Sequence, residues 1–159
     1  MSGVTSIVIS GMGGQGVLTA SDILAMSAFL AGHDVKKSEV KGMSQRGGSV
    51  ISCVRYGKRI ESPLVPRAES DYFVSICDGG AVPAGHYLKE TGVFLDNTTI
   101  ALGLLPSPRT LNLSMLGMLS THLDVPYDLW IEAIRASLRP RHHGMNEAAF
   151  DMGRRAVCS

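Results

Sequence analysis

Cysteine is scarce in this chain, and its placement excludes several kinds of metal site. The 159 residues include three cysteines, Cys53, Cys77 and Cys158, which are far apart and form no C-x-x-C pair. We therefore expect neither an iron–sulfur cluster nor a cysteine-rich zinc site held by this chain alone, and we predict no metal ligands. An odd number of separated thiols suits a reducing compartment, so the predicted location is cytoplasmic.

Charge and long apolar runs are also lacking. Charged residues make up 18% of the chain and the formal net charge is +1, so no bulk field attracts nucleic acid or an anionic membrane. No stretch approaches the roughly 18 consecutive apolar residues of a membrane-spanning helix. The N-terminal residues lack a charged segment followed by an apolar one, so no secretory signal is expected. A surface this poor in charge is typical of a protein that is partly covered by a partner.

The length and the periodicity of the chain predict one α/β domain over residues 1–159. Apolar residues make up 45% of the sequence, which is ordinary for a globular chain. Strands are predicted at residues 5–10, 34–40, 49–56, 71–77 and 92–96, and helices at 15–31, 109–123, 128–138 and 146–157. Residues 59–62 are expected to pair back as a hairpin, and residues 78–90 to form a broken helix. This order indicates a single Rossmann-like domain with a largely parallel sheet flanked by helices and a helical C-terminal part.

A glycine-rich turn, "GMGGQG" at residues 11–16, follows the first predicted strand. Gly11 permits a tight turn, Gly13 lets a ligand's phosphate approach the backbone, and Gly16 allows close packing of the next helix, while Gln15 adds a polar amide. The spacing fits three alternatives: tight helix packing only, contact with an anion or coenzyme, or a complete NAD site. An NAD site needs an acidic residue about 20 positions on, and Glu39 meets that distance.

A second polar cluster lies in the loop "KGMSQRGG" at residues 41–48. It contains Ser44, Gln45, Arg46 and Gly47, and an arginine in such a loop can form a fork of hydrogen bonds to a carboxylate or phosphate. The alternative is a solvated surface loop. We predict that this loop and the glycine-rich turn meet at one end of the sheet and that their crevice takes an anion.

These two motifs together resemble the gamma-type subunit or domain of the 2-oxoacid:ferredoxin oxidoreductases. The likeness extends to Val54-Arg55, Ser62-Pro63-Leu64, residues 68–71, "NLSMLG" at 112–117 and "NEAAFDMG" at 146–153. Within the family, "KGMSQRGGSV" is most similar to the smaller subunit of indolepyruvate ferredoxin oxidoreductase. Two features depart from the family pattern: "ICDGGAVPAGH" replaces an acidic, alanine-rich segment, and the chain is short between Asn97 and Asn112, so a strand or helix is expected to be missing there.

The resemblance implies a subunit of an oxidoreductase that is inactive alone. Such enzymes decarboxylate a 2-oxoacid on thiamine diphosphate, pass electrons through [4Fe-4S] clusters to ferredoxin and release an acyl-CoA. It places thiamine diphosphate and the clusters on a larger partner subunit, with ferredoxin as an indirect partner, and it leaves room for coenzyme A at the subunit interface. No catalytic residue is expected in this chain, and a homodimer is expected to cover its apolar surface when it is isolated. The alternative function is an independent nucleotide-binding module or NAD-dependent dehydrogenase.

The residues predicted to bind a cofactor come from both motifs. They are Gly11, Gly13, Gly14, Gln15, Gly16, Ser44, Gln45, Arg46 and Gly47.

Overall fold

The described part of the chain forms one mixed sheet with four α-helices. A computed structural model describes residues 3–41, 48–76 and 86–158. Within these ranges the strands are β1 (Val4–Met12), β2 (Asp34–Lys41), β3 (Ser49–Gly57), β4 (Ser70–Ser75) and β5 (Leu88–Leu95). The helices are α1 (Val17–Leu30), α2 (Leu111–Ser120), α3 (Tyr127–Ser137) and α4 (His143–Cys158).

The strand order is β2-β3-β1-β4-β5, and the strands run in both relative directions. β1 pairs with β4 and β4 with β5 in parallel, whereas β3 is antiparallel to both β1 and β2. β3 turns back because the connection from Lys41 to Ser49 is too short for a crossover, which needs about a dozen residues or more. The α/β class follows the prediction, with an antiparallel strand inserted beside β1.

All four helices cover the same face of the sheet. The main core joins Ile7 and Ile9 of β1 to side chains from each helix, including Leu24, Leu116, Trp130 and Phe150. Val8 of β1 points to the other face, since neighbouring strand residues alternate. There it packs with Ile51, Cys53 and Phe73, and this second cluster includes no residue from the four helices.

The segment after β3 does not form the predicted hairpin. β3 already has β1 and β2 as neighbours, so no free edge remains for residues 59–62. Instead, the backbone N–H of Ile60 donates to the Asp34 carboxylate at 2.7 Å. The Arg55 guanidinium donates to the carbonyl oxygens of Ser62 and Leu64 at 2.9 and 3.0 Å, which ties this segment to the sheet.

Two further predictions concern the broken helix at residues 78–90 and the short segment between Asn97 and Asn112. Leu88–Glu90 were expected in a broken helix, but they open β5, because Leu88 is paired with Ser70 of β4. Most of the rest of that predicted helix, residues 78–85, lies outside the described residues. Residues 96–110 contain three single-turn 3-10 helices and neither a strand nor an α-helix. This agrees with a chain that is short between Asn97 and Asn112.

Candidate functional site

The glycine-rich turn links the C-terminal end of β1 to the start of α1. Gly14 and Gly16 adopt φ angles of 91° and 78°, in the left-handed region that favours glycine. The Gln15 side chain, predicted to lie beside a ligand, uses its Oε1 to accept from the Met12 N–H at 2.7 Å. The Gln15 N–H donates to the Met12 carbonyl oxygen at 3.1 Å. Gln15 therefore stabilises the turn through its two hydrogen bonds to the Met12 backbone.

The N-terminus of α1 is open to an anion. Its capping residue, Gly16, has no side chain, and the first turn contains no acidic residue. The first N–H groups of a helix have no partner within the helix, and the helix dipole gives this end a partial positive charge. An anion at this position would accept hydrogen bonds from these N–H groups and would be stabilised by the partial positive charge.

The second predicted loop begins and ends beside the glycine-rich turn. The Gly13 N–H donates to the Gly48 carbonyl oxygen at 3.1 Å. Lys41 pairs with Val50 of β3, and Val50 pairs in turn with Gly11 of β1. The described ends of the two motifs thus meet at one end of the sheet, as the sequence predicted. Ser44, Gln45, Arg46 and Gly47 lie outside the described residues.

Glu39 does not occupy the place that an NAD site requires. In a dinucleotide-binding fold the acidic residue ends the strand next to the glycine-bearing strand. Here β3 separates β2 from β1, so Glu39 is two strands away from the turn, about 10 Å at ordinary strand spacing. Its carboxylate lies 3.3 Å from the Lys37 ammonium, in an ion pair along its own strand. The dehydrogenase alternative is therefore not favoured.

A cleft of about 710 Å³ opens on the helical side of the turn, and we name it the α1 cleft. Its lining residues are Gly14, Gln15, Gly16, Thr19, Ser107, Arg109, Thr110, Asn112, Leu113, Leu138, His142, Met145 and Asn146. The lining includes Arg109 and His142 and no acidic residue. The cleft is therefore electropositive, because the open end of α1 adds to the charge of Arg109.

Asn112 forms the wall of the α1 cleft beside Gly16. The residue is 5% exposed, and its Nδ2 donates to the Gly16 carbonyl oxygen at 3.1 Å. Its Oδ1 is buried and has no hydrogen-bond partner among the described residues. A buried amide oxygen without a partner is uncommon and calls for an explanation.

Four residues that line the α1 cleft were not predicted from the sequence: Arg109, Asn112, His142 and Asn146. Two of the segments that resemble the family carried a signal, since Asn112 begins "NLSMLG" and Asn146 begins "NEAAFDMG". Arg109 and His142 lie in 3-10 turns that precede α2 and α4. Only the packing of α2 beside the start of α1, and of α4 on α2, brings these residues together.

The described residues offer no metal cluster, and the Cys53 thiol is not activated. Across 3–41, 48–76 and 86–158, no group of three or more His, Cys, Asp or Glu side chains could hold a metal ion. Burial raises the pKa of the Cys53 thiol, with a smaller opposing effect from a hydrogen bond to Ser38. Cys53 therefore stays protonated near neutral pH and is a poor nucleophile. No helix in the described part is long and apolar enough to cross a membrane.

Comparison with protein families assigns the fold and the motifs to one group. The family described as pyruvate ferredoxin/flavodoxin oxidoreductase matches residues 6–156. The chain belongs to this family. The resemblance to gamma-type subunits, drawn from the two motifs, is confirmed.

Curated relatives in this oxidoreductase family match the chain over its length. Indolepyruvate oxidoreductase subunit IorB of Thermococcus kodakarensis and that of Pyrococcus horikoshii are each 31% identical over 96% of this chain and 95% of the relative. The common gamma subunit of the pyruvate/ketoisovalerate oxidoreductases of Pyrococcus furiosus is 36% identical over 55% of this chain and 49% of the relative. The IorB alignments extend over 192 positions against 159 residues here, so those relatives contain residues with no counterpart in this chain.

Solved structures of the oxidoreductase family share the fold. A keto/oxoacid ferredoxin oxidoreductase gamma subunit from Geobacter sulfurreducens superposes with a TM-score of 0.78 at 22% identity, covering 97% of this chain and 98% of that one. A 2-oxoglutarate:ferredoxin oxidoreductase from Magnetococcus marinus gives 0.75 at 19% identity, covering 99% of this chain and 32% of that one. The predicted α/β class is confirmed, and the fold occurs both as a separate chain and as part of a longer one.

Proposed function

We propose that this chain is the non-catalytic small subunit of an indolepyruvate or arylpyruvate:ferredoxin oxidoreductase. The observation that carries the proposal is the match to IorB subunits over nearly the whole of both chains. In this proposal a larger subunit holds thiamine diphosphate and the iron–sulfur clusters. The products are an acyl-CoA, carbon dioxide and reduced ferredoxin. The C–C bond to the carboxyl group breaks, and the electrons released pass to ferredoxin.

The proposed role of the small subunit is to contact coenzyme A where it meets the larger subunit. The contact residues are those of the glycine-rich turn and of the 44–47 loop. The open end of α1 supports this role, because phosphates bind readily at such a terminus. The Magnetococcus marinus structure is described with coenzyme A bound, which is consistent with a coenzyme A site near this fold.

Exposed apolar side chains support a role in assembly. Phe29, Leu64 and Leu104 are among the large apolar residues that remain exposed in the described structure. Apolar surface of this kind is suited to a partner subunit, or to a second copy of the chain when the partner is missing. Domain 1–159 would then act as one docking unit.

Activity is expected only from the assembled enzyme. The purified chain should contain neither iron nor thiamine diphosphate and should not reduce ferredoxin with any 2-oxoacid. Co-expression with the larger subunit should yield a coloured complex that reduces ferredoxin with indolepyruvate and coenzyme A. Parallel assays with pyruvate and 2-oxoglutarate test the substrate assignment. If the chain alone reduces NAD in the presence of a substrate, the subunit proposal is wrong.

Arg46 provides a test of the proposed coenzyme A contact. In the assembled complex, Arg46→Ala should raise the apparent KM for coenzyme A about tenfold, since a charge-assisted hydrogen bond contributes about 1.5–3 kcal/mol. Arg59→Ala is the matched control, because the Arg59 side chain is 83% exposed and its ion-pair contact is with Glu61. Equal KM values for the two variants would count against the contact.

A further inference from the structure

We propose that the free edge of β2 binds a second copy of this chain, with the two β2 strands antiparallel and in a register centred on Ser38. Among the described strands, β2 and β5 form the two edges of the sheet. A register shift against β4 interrupts β5, whereas β2 pairs with β3 along its whole length without a shift. An irregular edge hinders further pairing, while a regular one presents a row of free N–H and C=O groups to another strand. β2 is therefore the edge that can be extended.

The charges on β2 select the register of this pair. A two-fold axis perpendicular to the sheet places residues of the same face opposite each other, so the axis passes beside one residue and not between two. An axis at Lys36 or Lys37 would bring two lysines directly opposite, and an axis at Glu39 would bring two glutamates, which like-charge repulsion disfavours. An axis at Ser38 instead places Lys37 of each copy opposite Glu39 of the other. Axes nearer the ends of β2 would align only a few residues.

The side chains of Lys37 and Glu39 are already arranged along this edge. The Lys37 ammonium forms an ion pair with Asp22 of α1 and lies 3.3 Å from the Glu39 carboxylate of its own strand. Glu39 is the more exposed partner, at 38% against 23% for Lys37. A carboxylate accepts hydrogen bonds from more than one donor, so Glu39 can bind the lysine of its own chain and that of the second copy. The charge pattern thus fits a second copy of β2 in this register.

Exposed apolar side chains flank the same edge on both faces of the sheet. On the helical face, Phe29 of α1 is 65% exposed and lines a groove of about 480 Å³ together with Val35 of β2. On the opposite face, Val40 is 49% exposed. In the register centred on Ser38, the aliphatic part of Lys36 from the second copy would lie against Val40. The α1 helices of both copies would lie on one side of the joined sheet, where Phe29 can be covered. Burial of this apolar surface favours the dimer.

Charge reversal tests the proposed ion pairs by sedimentation equilibrium of the full chain. The unchanged chain should sediment at twice the monomer mass. Glu39→Lys should raise the dissociation constant of the dimer about tenfold or more, because both cross-strand ion pairs become lysine–lysine contacts. Lys37→Glu should act in the same direction, and the double variant Lys37→Glu/Glu39→Lys should restore dimerisation. Glu90→Lys makes the same charge change on the other edge strand and should leave the dissociation constant unchanged.

Cysteine cross-linking tests the register itself. In a Cys53→Ala background, Ser38→Cys should give a disulfide-linked dimer after oxidation with diamide. Directly opposite residues of antiparallel strands have Cα atoms about 4.5–5.5 Å apart, within the reach of a disulfide. Cys53 is replaced because it lies opposite Ser38 in the same chain and would compete. Lys36→Cys in the same background is the matched control, since this register separates the two substituted positions by about 13 Å.

The outcomes decide the dimer independently of the proposed function. If the unchanged chain sediments as a monomer, if Glu39→Lys leaves the dissociation constant unchanged, or if the double variant does not recover dimerisation, the β2 dimer is wrong. Equal cross-linking through Lys36→Cys and Ser38→Cys would also contradict it. A thermal unfolding curve on each variant confirms that the chain is folded. The ferredoxin assay of the co-expressed complex is a separate measurement, so a monomeric chain would leave the subunit proposal standing.

Discussion

Gly153→Ala should destabilise the chain by about 3 kcal/mol, the largest single effect that we expect from a change of one methyl group. A Cβ atom at Gly153 of α4 would lie against the backbone of α2, 2.7 Å from the Ser114 carbonyl carbon and 3.0 Å from the Met118 nitrogen. Backbone atoms of a packed helix cannot turn aside as a flexible side chain can. The two helices would have to separate and open the core that they share.

The contact is reciprocal, which gives the prediction a second test. A Cβ atom at Gly117 of α2 would meet the backbone of Phe150 in α4, with the carbonyl carbon at 2.9 Å. Gly117→Ala should therefore destabilise the chain to a similar degree. These two glycines end the segments "NLSMLG" and "NEAAFDMG", so close packing of α2 on α4 explains why both segments finish in glycine.

Gly144→Ala is the matched control within the same helix. Among the described residues, no atom outside its chain neighbours and the backbone of its own helix lies within 4 Å of a Cβ placed at Gly144. Replacing glycine by alanine inside a helix usually stabilises it by up to about 1 kcal/mol, so this variant should be neutral or more stable. Equilibrium unfolding in urea measures the free energy of unfolding of all three variants. If Gly153→Ala and Gly144→Ala unfold at the same urea concentration, the close helix contact is not as described.

Gly16→Ala should also be damaging, at about 2 kcal/mol or more, though less so than either change at the contact between α2 and α4. The φ angle of 78° costs an alanine about 1–2 kcal/mol. Its Cβ would also press on the Asn112 side chain, with Cγ at 3.0 Å. Both effects act where β1, α1 and α2 meet, so the thermal unfolding midpoint of Gly16→Ala should fall below that of the unchanged chain.

Two further variants separate strain from steric contact at Gly16. Gly13→Ala in the same turn is the control, because among the described residues, apart from its chain neighbours, its Cβ would come nearest to the Gly48 carbonyl oxygen at 3.8 Å, and it should cost little. In the Asn112→Ala background, Gly16→Ala should reduce the stability of the chain only by the cost of the positive φ angle. A full and unchanged cost in that background would show that the Asn112 contact plays no part.

The sequence was a reliable guide where structure is set by neighbouring residues. The apolar run before Gly11 predicted β1, and the alanine- and leucine-rich run after Gln15 predicted α1, since both patterns depend on local backbone preference. The hairpin at residues 59–62 was wrong because β1 competes for the edge of β3, and local turn residues carry no information about that competition.

Only one wall of the candidate site could be predicted from the sequence. The glycine-rich turn, of which Gly14 and Gly16 line the α1 cleft, marked one wall. Because each loop follows a strand, the turn and the 41–48 loop were predicted to meet, and the described ends of that loop do lie beside the turn. The opposite wall was not predicted, because Asn112 meets Gly16 across 96 positions of the chain.

By itself, the sequence determined the α/β class, the strand–turn–helix at the N-terminus and the family to which the chain belongs. Each of these depends on short segments whose residue types and spacing limit the backbone directly. Tertiary structure alone decided that all four helices cover one face, that α2 and α4 touch through Gly117 and Gly153, and that Arg109 lines the same cleft as the start of α1. The physical reason is that such contacts form only when every element has packed into one core, and the periodicity of a single segment does not encode that arrangement.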